Sequence, residues 1–116
     1  MKHDNWFNEE YMNQRRSEVI DVANKIIDGA TGVIEGAREL HVLQYEVSED
    51  DFDSDFMVFN AINSETDHLP IGKVREQWSS STLEMKDEEK TAAEKRFRKE
   101  AISACKKLIK RFEKNS

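Results

Sequence analysis

Apolar residues at both ends of this chain recur every three or four positions and hold that phase over long stretches. Val19, Ala23, Ile26, Ile27, Ala30, Val33, Ile34, Ala37, Leu40 and Leu43 form one stripe. Phe97, Ala101, Cys105, Leu108 and Phe112 form another, widened by Ile102 and Ile109. This spacing matches the turn of an α-helix and not the two-residue alternation of a strand. A helix with one apolar side must bury it against another element. The expected fold is therefore all-α: a helical bundle with a long N-terminal helical region and a long C-terminal helix packed antiparallel, and short helices between. Its core is expected around Ile20, Ala23, Ile26, Val33, Phe97, Ala101, Cys105 and Leu108.

The chain has 116 residues, which points to a single α-helical domain, 1-116, able to bury roughly two-thirds of its unfolded surface. No run approaches the ~18 apolar residues of a membrane span, so no membrane partner is expected. The N-terminus, MKHDNWFNEEYM, carries acids where a signal peptide needs an apolar region. The one cysteine, Cys105, permits no internal disulfide. Together these predict a cytoplasmic protein.

Gly29, Gly32 and Gly36 interrupt the first stripe. Either they break it into two helices near residue 29, or one helix runs on and the glycines admit a close neighbour. The unbroken phase favours one helix ending near Tyr45. Residues 46–55 then form an acidic loop, and residues 56–62, FMVFNAI, a short apolar helical piece. Pro70 suits the first turn of a short helix over 70–78, with Ile71, Val74 and Trp78 on one face. Ser81-Thr82-Leu83-Glu84 has the form of a capping box, so the last helix should start at Ser81. A helix from there to Glu113 spans roughly 50 Å at 1.5 Å per residue. A globule of this size is only about 30–35 Å across. The last helix must protrude, kink, or lie along an equally long first one.

Charge is unevenly spread. The net charge is −6, yet residues 95–114 carry nine basic and two acidic side chains. Residues 46–55, EVSEDDFDSD, hold six acids and no base. Such segregation bears on partners and association rates rather than on fold.

Tests for chemistry give little. Asp51-Phe52-Asp53-Ser54-Asp55 opens like a calcium loop, but Phe56 and Ile62 stand where glycine and glutamate are required. Glu35 and Glu39 lack the Glu-x-x-His partners of a di-iron site. Cys105 lies on the apolar stripe, as a packed thiol would. No phosphate loop, nucleophile elbow or H-E-x-x-H is present. No catalytic residue, metal or cofactor is expected. Glu65, Asp67, His68, Arg75 and Trp78 lie close enough in sequence to line a pocket for a small molecule or peptide. Nucleic acid is not an expected partner: Phe97 and Phe112 belong to the core stripe and offer no stacking platform, and a −6 chain is repelled by phosphate at long range.

Ile27 to Ile109 contains Gly32-Val-Ile-Glu-Gly36, Ser64-Glu-Thr-Asp-His-Leu-Pro70, Gly72, Val74-Arg75 and Trp78. These residues resemble a family of small, single-domain bacterial proteins of unknown function, the S-E-T-D-H-L-P segment being the most specific part. The resemblance implies a stand-alone bacterial cytosolic protein and assigns no catalytic residues. By type and composition the chain is also similar to the immunity proteins that bacteria pair with delivered toxins. That likeness implies a binding protein whose partner is a cognate toxin, such as a nuclease with a cationic site. Glu49, Asp50, Asp51, Asp53 and Asp55 would supply electrostatic steering, with Phe52 and Phe56 as apolar anchors. The alternatives are the pocket at residues 64-78, and a nucleic-acid-associated accessory protein using the basic last helix. Oligomeric state is open.

Overall fold

A computed structural model describes residues 9–50 and 52–113. Among them run α1 (Glu9–Asp28), α2 (Val33–Val47), α3 (Met57–Thr66), a 3-10 segment (Gly72–Gln77) and α4 (Ser80–Glu113), with no strand. The architecture is the all-α bundle expected from the apolar periodicity. No helix among the described residues is long and apolar enough to cross a membrane.

The N-terminal region is two helices, which corrects the expectation of one. Gly29 sits at φ +83°, a left-handed conformation costly for any residue with a Cβ. The Gly29 and Thr31 amides donate to Ile26 O and Lys25 O, closing α1. Ala30, although in phase with the stripe, is exposed in the turn. The alternative role for glycine is realised seven residues on. At Gly36 a Cβ would overlap Ile26 Cδ1 and Cγ1, so the missing side chain lets α1 and α2 approach. The break near residue 29 holds and the single continuous helix does not, while the close approach expected of a glycine is realised at Gly36.

α1 and α2 form an antiparallel hairpin: Ile26 meets Gly36 at one end, and Tyr11 donates to Glu46 at the other. The turn lies beside Glu94, which accepts from the Ile34 amide at 3.2 Å. The open end lies beside Arg111, which lines a hollow with Tyr11 and Met12. Thus α1 runs antiparallel to α4, and α2 runs parallel to it. α4 packs chiefly on α1. The molecule is elongated, 50 × 28 × 24 Å, and the 34-residue α4 accounts for the long dimension.

The two halves of α4 are held differently. Phe97, Ala101, Cys105, Leu108 and Phe112 are buried, whereas nothing before Phe97 is. Burial raises the Cys105 thiol pKa to about 12, as befits an apolar filler. The first half is instead tied by polar bridges: Arg75–Asp87, His68–Glu89, Lys90–Glu35 and Arg96–Glu65. The helix starts one residue before the expected Ser81, and its cap is Ser79. Ser79 Oγ accepts from the Thr82 amide at 3.3 Å, and Ser79 O accepts from the Leu83 amide.

α3 brings Phe59 and Ile62 into the core, where Phe56 and Phe112 meet with ring centroids 6.3 Å apart. Each such buried aromatic contributes roughly 1.5–3 kcal/mol. Residues 70–78 differ from expectation. Gly72 takes φ +74°, and a 3-10 segment with no buried residue replaces the predicted short helix. Pro70 is itself buried ahead of it, and Val74 is 45 % exposed.

Candidate functional site

The described residues of the acidic segment are joined by short side chains that cap nearby amides. Ser48 ends α2, its amide bonded to Gln44 O. Ser48 Oγ accepts from the Asp50 amide at 3.2 Å and donates to Asp53 Oδ2 at 2.7 Å. Asp50 Oδ1 accepts from the Phe52 amide at 2.9 Å, and Asp53 Oδ1 accepts from the Asp55 amide at 3.0 Å. A short acceptor side chain reaching the amide two residues on is the usual chemistry of aspartate in turns. The loop is then fastened to α4: Arg111 Nη1 lies 2.9 Å from Asp53 Oδ1 and 3.0 Å from Asp55 Oδ2. Burial pushes the Asp53 carboxyl pKa up, but hydrogen bonds from Ser48 and Arg111 outweigh it and hold it below the usual range.

The predicted docking residues therefore separate. Asp53 is buried and clamped, and Asp55 shares its cation, so both serve the fold. Phe56 is fully buried in the core and is unavailable as a partner anchor. Asp51 lies outside the described residues. Glu49 and Asp50 are exposed. Phe52 is 79 % exposed, the most exposed large apolar side chain among the described residues. Beside the loop, Tyr11, Met12, Tyr45, Glu46, Ser48 and Glu49 line part of an open hollow of about 890 Å³. Tyr45, 59 % exposed, adds a second accessible aromatic at this end of the bundle.

The five predicted pocket residues are divided between two places. Glu65 and His68 rim a hollow of about 250 Å³ floored by Leu69, Ala93 and Phe97, where they pair with Arg96 and Glu89. Arg75 lines a separate hollow and makes a two-pronged bridge to Asp87, from Nη1 at 2.7 Å and Nη2 at 2.9 Å. Asp67 is the C-cap of α3 and is exposed. Trp78 follows the 3-10 segment, half-buried, lining neither hollow.

Two polar features had no reading in the sequence. Arg38 Nη2 donates to Thr66 O and Leu69 O, capping the end of α3. Gln44, buried in α2, accepts from Asn60 Nδ2 at 2.9 Å, and His41 Nδ1 donates to Asn60 Oδ1 at 2.7 Å. The polar interruptions at Arg38, His41 and Gln44 among apolar neighbours were the available signal. Among the described residues, no three His, Cys, Asp or Glu side chains gather at one point.

No protein-family model, no curated protein and no solved structure matches this chain.

Proposed function

We propose that this chain is a binding protein without catalysis, an immunity protein that neutralises a cognate bacterial toxin by seating the 48–55 loop in a cationic cleft. The observation that carries this reading is Phe52, an aromatic left 79 % exposed although its own amide donates to Asp50 and the next side chain, Asp53, is held by Arg111. Folding gains nothing from such exposure. A pinned loop loses little entropy on docking, and an aromatic anchor within a ring of charge is the usual composition of a binding hot spot.

Glu49 and Asp50 lie exposed beside that anchor and supply attraction toward a basic surface. A nuclease that grips phosphate presents such a surface.

The test uses the partner captured from extract of the producing cells. A Glu49→Gln/Asp50→Asn variant should associate with it about tenfold more slowly than the parent at low salt. The difference should shrink as salt rises, the screening length falling from about 8–10 Å near physiological ionic strength to about 3 Å at 1 M. The parent should also inhibit the partner's activity. Equal association rates at low salt would remove these acids from the interface.

A further inference from the structure

Two sets of basic side chains among the described residues contrast. Arg15, Lys25, Arg75, Lys90, Arg96 and Arg111 each meet a carboxylate. Lys95, Arg98, Lys99, Lys106, Lys107 and Lys110 do not: all six are exposed on α4, and none enters an ion pair or hydrogen bond among the described residues. Acids outnumber bases 24 to 18 in the whole chain. Six cations without acidic partners on one helix are thus not a shortage of carboxylates.

Two ordinary explanations fall short. The helix macrodipole favours cations only in the last turn, which accounts for Lys110 and not for the five that precede it. Solubility gains nothing either, because added cations bring a −6 chain closer to neutrality.

Helix geometry gives the set a shape. At about 100° per residue, Lys95, Lys99, Lys106 and Lys110 fall within an arc of roughly 60°, facing away from Phe97, Ala101, Cys105 and Leu108. They form a ridge about 22 Å long at 1.5 Å per residue. Arg98 flanks it on one side and Lys107 on the other, so the cations cover about half the circumference. Between residues 95 and 110 the single acid is Glu100.

We propose that this outer face of α4 is a docking ridge for double-stranded DNA, held through its phosphates without regard to sequence. A convex helix with cations along its crest and both flanks complements a major groove about 12 Å wide, with phosphates on either wall. A flat anionic membrane would meet the crest and leave the flanks unused, and the large apolar side chains within the cationic half, Ile102 and Ile109, are both partly buried and present little to insert. Single strands need exposed aromatics for stacking, and Phe97 and Phe112 are buried. The deep, narrow major groove of duplex RNA excludes a helix. Lysine ammoniums grip phosphate as point charges, without the rigid fork by which a guanidinium matches an edge, so five of the six cations favour backbone contacts. The whole chain is negative, but at 0.1–0.15 M salt screening confines its field to about 8–10 Å, so the six local cations dominate at contact. The ridge shares no residue with the proposed toxin-docking loop, although on one flank Lys99 and Lys107 line a hollow with Ser54 and Asp55.

The test is fluorescence anisotropy of the full chain with a labelled 20-base-pair DNA duplex of random sequence. Six phosphate contacts predict a log–log salt slope of about −5, so affinity should fall roughly 1,000-fold between 50 and 200 mM salt. The Lys95→Gln/Lys99→Gln/Lys106→Gln/Lys110→Gln variant should lose at least 100-fold at 50 mM, with its slope shrinking to about −2. Its circular dichroism melt should match the parent, since these side chains are exposed. Lys73→Gln, off the ridge, should change neither affinity nor slope. No binding of duplex at 50 mM, equal affinity of parent and variant, or preference for single strands or for anionic phosphatidylserine vesicles would overturn the proposal.

Discussion

Arg111 Nη1 donates to Asp53 Oδ1 at 2.9 Å, joining α4 to the acidic loop across 58 residues of chain. The carboxylate is buried and also accepts from Ser48, so this contact locks the loop that carries Phe52. Asp53→Asn should lower stability by about 1–3 kcal/mol, because it removes the buried charge that pairs with Arg111 and disturbs a charged hydrogen bond. Glu49→Gln, on the same loop but exposed, should stay within about 0.5 kcal/mol of the parent. Urea denaturation midpoints compare the two directly. Neutralising all the loop aspartates together would therefore perturb the fold.

Acid should weaken the protein in a defined window. Asp87 and Glu89 are held below the usual carboxylate range by hydrogen bonds from Arg75 and His68 respectively. In Asp53 and Glu35 burial pushes the other way, but hydrogen bonds prevail, chiefly from Ser48 and Arg111 for Asp53 and from Lys90 for Glu35. In the unfolded chain these groups return to ordinary values near 4. Groups depressed on folding stabilise fully above the unfolded value, and that stabilisation is lost as pH falls through the folded one. The urea midpoint should thus decline below about pH 5 and keep falling past pH 4. Glu35→Gln should show a shallower decline.

Glycine substitutions separate the two roles of the first region. Gly36→Ala drives a Cβ into Ile26 in the core and should cost about 1–3 kcal/mol by overpacking. Gly29→Ala meets no neighbouring atom and should cost about 1–2 kcal/mol from its positive φ alone. Adding Ile26→Val should relieve part of the first loss and none of the second. A double-mutant cycle of denaturation midpoints measures this coupling.

The cap of α4 can be tested by neighbouring serines. Ser79→Ala should lose about 1 kcal/mol with the bond to the Thr82 amide. Ser81→Ala, inside the exposed first turn, should be close to neutral. The same denaturation assay distinguishes them.

Burial repeats with the helix turn, which made the apolar stripes legible before any coordinates. Val19, Ala23, Ile26, Ala101, Cys105 and Leu108 are buried as their spacing predicts. Phase could not locate the break at Gly29, because a three-to-four-residue pattern can pass through a short turn without changing step. The Ser81 signature was displaced two residues by Ser79, an equally good cap within the same serine run. In the loop, composition identified the acids but not their partners. Arg111 comes from the far end of the chain, and a pairing across 58 residues leaves no local mark. The alternation Ser48-x-Asp50-x-Phe52 and Asp53-x-Asp55 did contain the local turn chemistry. The division of Glu65, His68 and Arg75 between two hollows depends on the path of residues 66–78, which Gly72 and the capping by Arg38 determine.

The most direct test of the docking loop is Phe52→Ala, read out twice. Thermal unfolding should be unchanged within about 1 °C, because a side chain 79 % exposed contributes little packing. Dissociation of the captured partner should accelerate at least tenfold, because a buried anchor acts mainly on the off-rate. A variant with a lowered melting temperature and an unaltered dissociation rate would contradict the account, making Phe52 part of the fold rather than the point of contact.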